Sequence, residues 1–303
     1  MALSVCKEET DSRGRELVEH GSAAFPIACY QDELENHVVP WHWHEEMEFI
    51  IVHEGVLEVH VENDRLLLHP GEGLFINSGV LHFADKTEGR RVILHSLVFH
   101  ARLVGGSMDS IFWQKLIQPL QQDTSFRYLP MKPSCAWQKE MIDRMGQTWE
   151  AVAGETAEYE NQVRYQLTSA LHLLNNNREI TIRSSSEQER VVAKRMKLMM
   201  QYIEEHYAEE LTVAEIAGAA LVSESVCLRC FRQITGTTPI QYVKRLRIDK
   251  AAGLLLATEE KAVEIAMECG FSDISYFTRS FRQQKGCTPL EYRSNYSIRA
   301  QAT

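Results

Sequence analysis

The sequence predicts an α+β multidomain chain: an N-terminal β-barrel with a helical dimerisation segment, then an all-α domain of two helix-turn-helix units. Three observations predict it. A repeat lies near the C-terminus, short alternating strands broken by Gly and Pro turns fill the first half, and polar breaker clusters separate the two. The expected division is a polar leader over residues 1–22, a barrel over 23–133, paired helices over 134–177, a linker over 178–189, the helix-turn-helix domain over 190–296 and a tail over 297–303.

The repeat comes first. Glu215-Ile216-Ala217 recurs as Glu264-Ile265-Ala266, and Phe231-Arg232-Gln233 with Gly236, Thr238-Pro239 and Tyr242 recurs as Phe281-Arg282-Gln283 with Gly286, Thr288-Pro289 and Tyr292. Each copy reads as helix, turn, helix. In the first, Thr212 suits an N-cap, and Val213, Ile216, Ala217, Ala220 and Leu221 fall on one stripe. Ser223 suits the cap of the second helix, whose Cys227, Cys230, Phe231 and Ile234 form a buried stripe and turn Ser225, Leu228, Arg229 and Arg232 outward. In the second copy Gly270 supplies a turn with positive φ. Ser272 or Asp273 then caps a helix that buries Phe277 and Phe281 and exposes Ser275, Thr278, Arg279 and Arg282.

Such a second helix fits the DNA major groove, with side chains near its N-terminus on base edges. Arg229 and Arg279 stand two residues before Phe231 and Phe281, so the copies present matched arginines, and arginine pairs bidentately with guanine. Between the copies, Thr238 caps and Pro239 opens a connector helix to about Ala257, ~27 Å at ~1.5 Å per residue. That is close to the ~34 Å between successive major-groove faces on one side of B-DNA. Lys244, Arg245, Arg247 and Lys250 lie on or beside it and suit phosphate contacts.

Residues 190–296 resemble the DNA-binding domain of the AraC/XylS family of bacterial transcription regulators. The resemblance runs through Arg245-Leu246-Arg247-Ile248-Asp249-Lys250-Ala251, Gly270-Phe271-Ser272-Asp273, Ser275-Tyr276-Phe277 and Thr288-Pro289-Leu290-Glu291-Tyr292-Arg293. It implies base contacts from Ser225, Leu228 and Arg229, then Ile274, Ser275, Thr278 and Arg279, and phosphate contacts from Arg232 and Arg282 with the connector cations. Leu228 and Ile274 are apolar where many relatives carry a hydrogen-bonding side chain, which leaves a thymine methyl contact or no base readout at those positions.

Charge divides the chain the same way. From residue 190 onward there are 16 Lys and Arg against 13 Asp and Glu, and before it 16 against 29. Only the C-terminal part approaches a polyanion without repulsion. No apolar run approaches the ~20 residues that span a bilayer, and residues 1–7 lack the layout of a secretory signal, so a cytoplasmic protein is expected. Seven cysteines without framework spacing fit reduced thiols, and Cys227-x-x-Cys230 lies on a buried stripe.

In the first half, residues 41–52 alternate so that His42, His44, Glu46, Glu48, Ile50 and Val52 share one face of a strand. Gly55, Gly71, Gly73 and Gly79 punctuate the short strands that follow. His42-x-His44-x(3)-Glu48-x(6)-Gly55, then Gly71-x(5)-Asn77-x-Gly79-x(2)-His82, resembles the two cupin motifs, with Asn77 in place of proline. Three imidazoles and a carboxylate converging in such a barrel suit Zn, Mn, Fe or Ni. The same His42, His44, Glu48 and His82 equally suit the lining of a pocket for a small polar effector such as a sugar, or a purely structural role. No cofactor is required on the effector reading.

Residues 135–177 read as two amphipathic helices. Trp137, Met141, Met145 and Trp149 form one stripe and Val163, Leu167, Ala170, Leu171 and Leu174 another, suited to covering the barrel or to forming a homodimer. Asn175-Asn176-Asn177 and Ser184-Ser185-Ser186 mark the linker. The expectation is an effector-responsive transcription regulator with no enzymatic activity. Its expected partners are double-stranded promoter DNA, a small-molecule effector, a second copy of itself and RNA polymerase. The competing expectation is a metal-dependent cupin isomerase or dioxygenase fused to a DNA-binding module.

Overall fold

The computed structural model describes residues 3–4, 20–34, 38–87, 91–123, 125–177 and 187–300, without the side chains of 3–4 and 295–300. The chain divides into two compact units between Ala193 and Lys194. Most of the expected linker and most of the expected leader lie outside the described residues.

Among the described residues the first unit has ten strands: β1 Leu3–Ser4, β2 Ile27–Leu34, β3 Val39–His42, β4 Met47–Glu54, β5 Leu57–Val61, β6 Asp64–Leu68, β7 Gly73–Ile76, β8 His82–Lys86, β9 Val92–Phe99 and β10 Tyr128–Met131. They form a six-stranded sheet in the order β1-β2-β9-β4-β7-β10 and a four-stranded sheet in the order β3-β8-β5-β6. The expected barrel is thus a two-sheet sandwich; among the described residues the strands do not close into one ring. Period-2 alternation explains its core: Ile50, Val52, Leu74, Ile76, Val92 and Leu94 of one sheet meet Leu57, Val59, Val61, Leu68 and Ala84 of the other.

The opposite face of the six-stranded sheet carries Cys29, Met47, Phe49, Phe75, Leu97 and Phe99. Helices cover it. After α1 (Arg102–Gly105), a π-helical stretch (Trp113–Ile117) and α2 (Gln118–Gln122), two long helices follow, α3 (Ala136–Gly154) and α4 (Tyr159–Asn177). The stripes read from sequence are the ones used, since Met141, Met145, Val163, Leu167, Ala170, Leu171 and Leu174 are all buried against that sheet face or between the helices. This burial occurs within one chain, so these stripes cover the sheet.

The second unit follows from α5 (Glu187–His206), within which the division between units falls. Then come α6 (Val213–Ala219), α7 (Glu224–Thr235), α8 (Pro239–Ala257), α9 (Ala262–Glu268), α10 (Ile274–Lys285) and α11 (Pro289–Ala300). Caps set most boundaries. Thr212 and Glu215 form a reciprocal capping box on α6, Thr238 accepts the Gln241 N–H with Pro239 opening α8, and Gly236 and Gly286 end α7 and α10 in the left-handed conformation. Ser223 departs from expectation: it stands before α7 but makes no capping bond, its hydroxyl lying 3.0 Å from that of Ser225. Leu221 departs more strongly. It sits in the turn at φ +53 and is 95 % exposed, because the helix ends before the stripe reaches it.

Candidate functional site: a histidine-carboxylate cluster and two recognition helices

The strand expected over residues 41–52 is broken at His44, and the break makes the first site. β3 belongs to the four-stranded sheet and β4 to the six-stranded one, so the chain changes sheets through the turn at residues 43–46. His42 pairs with His82 across β3 and β8. Glu48 faces them from β4 and His44 from the turn, while Glu46 leaves the shared face and offers its carbonyl instead. All four side chains are buried, and a ligand atom of each lies within 4.8 Å of every other.

Their orientation is set by the backbone. Nδ1 of His42 lies 2.8 Å from the Pro40 carbonyl, Nδ1 of His44 3.0 Å from that of Glu46, and Nδ1 of His82 2.9 Å from that of Val80. A carbonyl only accepts, so each Nδ1 carries the hydrogen and each neutral ring presents Nε2 as a lone pair. The Nε2 atoms of His44 and His82 stand 3.5 and 3.0 Å from Glu48 Oε2, and these three buried atoms have no hydrogen-bond partner. Lone pairs facing a carboxylate repel unless a proton or a cation lies between them. Burial pushes the Glu48 carboxyl up, but the His44 and His82 rings beside it outweigh burial and hold it well below the usual carboxylate range.

Asn77 explains its own departure from the cupin pattern. Its Nδ2 donates to the carbonyls of Leu120 and Phe126, and its backbone N–H to that of Arg127. This fixes the loop that carries His82, and Gly79 N–H in the same loop donates to the His44 carbonyl. Two neighbours were not singled out from sequence. His20 sets its ring 5.6 Å from that of His44 and holds the Tyr30 hydroxyl at 2.8 Å. Buried Arg127 bridges Glu62 and Asp64. Neither carries a spacing signal, because only the fold brings them there.

In the second unit α7 and α10 present the expected faces. Ser225, Arg229, Arg232, Ile274, Ser275, Arg279 and Arg282 are exposed, and Leu228 and Thr278 are half-buried. Thr278 spends its hydroxyl on the Ile274 carbonyl at 2.9 Å, which leaves its methyl for an apolar contact. On α8, Arg245 is exposed and Lys244 half-buried, whereas Lys250 pairs with Glu204 at 3.4 Å. Arg247 does not fit the expected phosphate role. Its Nε donates to the Tyr207 carbonyl at 2.6 Å, its Nη2 to that of Glu209 at 2.6 Å and its Nη1 to that of Gly270 at 2.8 Å, so the guanidinium is spent inside the protein.

Family models match both units: an AraC-like ligand binding domain over residues 25–174 and a helix-turn-helix domain over 216–295. The chain is 31 % identical over 287 residues to an uncharacterized HTH-type transcriptional regulator, YdeC, of Bacillus subtilis, covering 93 % of this chain and 97 % of that one. The chain belongs to the AraC family of transcription regulators. Another AraC-type relative, the transcriptional activator RhaS of Enterobacter sp. strain 638, is 37 % identical over 99 residues, 33 % of this chain and 36 % of its own. A crystal structure of ToxT from Vibrio cholerae with a bound unsaturated fatty acid is similar at 11 % identity and a TM-score of 0.47, covering 88 % of this chain and 94 % of that one.

As an AraC-family regulator the chain binds DNA through its helix-turn-helix domain and carries a ligand-binding domain ahead of it. None of its described helices is long and apolar enough to cross a membrane. Cys29, Cys135, Cys227, Cys230, Cys269 and Cys287 are free thiols. Burial pushes Cys29 and Cys227 up to about 11 and Cys269 to about 12, so at neutral pH these three pack as small apolar groups.

Proposed function

We propose that the His42, His44, Glu48 and His82 cluster holds a divalent cation, and that this centre, alone or with a small polar effector bound to it, sets the affinity of the regulator for promoter DNA. One observation carries the reading: buried Nε2 lone pairs and a carboxylate oxygen converge without hydrogen-bond partners. Three imidazoles and one carboxylate are a donor set for Zn, Mn, Fe or Ni, and the Nδ1 bonds to backbone carbonyls are the outer support that orients such ligands. A bound cation would act as a Lewis acid toward an effector oxygen. Family membership favours sensing over catalysis, so the chain is read as a regulator and not as an enzyme.

On the DNA side, Ser225, Leu228 and Arg229 of α7 and Ile274, Ser275, Thr278 and Arg279 of α10 supply base contacts. Arg232, Lys244, Arg245 and Arg282 supply phosphate contacts. The sensor forms a homodimer, with Tyr165, 64 % exposed on the outer side of α4, as a marker of that face, and RNA polymerase is met at the promoter. Sedimentation of the full chain should give a dimer that Tyr165→Glu weakens; a monomer at working concentration removes this part.

Elemental analysis after purification without chelator should give one ion per chain, absent from His82→Ala and Glu48→Gln. DNA affinity should differ between chelated and reloaded protein. No stoichiometric metal, with an intact effector response in His42→Ala, would overturn the metal reading. Arg229→Ala and Arg279→Ala should each lose site-specific protection and keep weak, salt-sensitive binding.

A further inference from the structure

We propose that Arg247, Gly270 and the segment at residues 207–209 form a clamp that sets the aim of α10, so that a movement at the C-terminal end of α5 reaches the second recognition helix through a contact that the first one lacks. The inference rests on the reading that α7 and α10 each cover one part of the operator. Arg247 is the positioning residue. From the middle of α8 its guanidinium donates to three carbonyls, two just beyond the end of α5 and one in the turn before α10. Five rigid donors on one planar group suit three acceptors from two segments; a lysine ammonium has three donors at a single point.

Gly270 completes the clamp from the other side. Its φ is +80, and a Cβ there would lie 2.6 Å from the Ala208 carbonyl oxygen and 2.9 Å from Ala208 Cα. The turn therefore rests backbone to backbone on the residue between Tyr207 and Glu209. Lys250 strengthens the same junction, reaching Glu204 at 3.4 Å and lying 5.9 Å from the centre of the Tyr207 ring. Asp273, three residues beyond Gly270, caps α10 through the N–H groups of Ser275 and Tyr276, so displacing the turn tilts the helix that follows.

The first copy has the same turn without the clamp. Val222 N–H bonds the Ala217 carbonyl as Phe271 N–H bonds that of Ala266, which makes Leu221 the counterpart of Gly270. Leu221 also has positive φ, yet its side chain is 95 % exposed. Nothing rests on it. Because the division of the chain falls within α5, a change in α5 imposed from the sensor side arrives at residues 207–209 and so at α10.

The test is hydroxyl-radical footprinting of the full chain on an operator fragment recovered by in-vitro selection with the wild-type protein. Arg229→Ala and Arg279→Ala assign the two halves of the footprint. Arg247→Lys, melting within a few degrees of wild type, should weaken protection of the α10 half about tenfold, on the scale of one lost specific contact, and leave the α7 half unchanged. Gly270→Ala, which displaces the same turn from the other side, should give the same polarity, and Leu221→Ala no change. Equal weakening of both halves by Arg247→Lys, or none, overturns the clamp while the half assignments stand. If Arg229→Ala and Arg279→Ala alter neither half, the two-helix reading falls and the clamp with it.

Discussion

The two helix-turn-helix units keep one internal pattern and differ in their surroundings. Ile216, Ala217 and Phe231 in the first are buried like Ile265, Ala266 and Phe281 in the second. The divergence starts one layer out. The second unit has Phe277 where the first has Cys227, and Phe271, Phe277, Phe281 and Tyr292 form a chain of ring contacts at 5.1, 5.6 and 5.4 Å. In the first, Phe231 meets Tyr242 at 5.6 Å beside Cys227 and Cys230. The second recognition helix is capped by Asp273 and its turn is docked; Ser223 leaves the first uncapped and Leu221 leaves its turn open. The two copies thus share one buried pattern, and only the second has its turn docked and its recognition helix capped by a side chain.

The largest test of this asymmetry is Gly270→Ala against Leu221→Ala. The first introduces a side chain at positive φ and against Ala208, and should cost roughly 2–4 kcal/mol in denaturant unfolding. The second should change stability by less than about 0.5 kcal/mol, because an exposed side chain is trimmed without touching the core; equal losses would erase the distinction. Next comes the entry to each unit. Thr212→Ala removes the capping hydroxyl of α6 and should cost about 1 kcal/mol, whereas α9 begins at Lys261, whose N–H is held by Glu264, so that Lys261→Ala should cost less.

Leu221→Gly should stabilise by about 0.5–1 kcal/mol, since it relieves a left-handed leucine and sacrifices no burial. A loss on that substitution would mean that Leu221 has a partner. The smallest effect is acid sensitivity. Bonds from the Tyr276 and Ser275 amides hold the Asp273 carboxyl below its ordinary value. A lowered folded value means that the unfolded chain binds the proton more readily, so the cap contributes fully above the ordinary aspartate range and is lost as pH falls through the lowered one. Asp273→Asn should flatten that part of the acid limb, and Ser223→Ala should leave it as it is.

Much of the second unit was legible in sequence because its signals are local. A threonine before a helix, Pro239 after Thr238, and Gly236 and Gly286 after the last turn act within a few residues. The clamp was not legible. Arg247 sits on the connector among other cations, and only the approach of residues 207–209 decides that its donors turn inward. Leu221 was misplaced because apolar periodicity ran two residues past the end of the helix. In the first unit, His-x-His-x(3)-Glu and a distant His identified the residues that converge. The alternation of residues 41–52 concealed the change of sheet, since period 2 continues on both sides of a turn that brings His44 to the cluster from a third direction. Sheet closure depends on which strands pair, which the periodicity of each strand leaves open.

His42 and His82 belong to one sheet and Glu48 to the other, and they meet at the polar end of an otherwise apolar sandwich. An ion held there would rivet the two layers together at that rim. Its departure would release the His44 turn, while Asn77 kept its own loop tied to Leu120, Phe126 and Arg127. The rim of the sandwich, and not its apolar middle, is then where a sensing event would first be felt as a loosening.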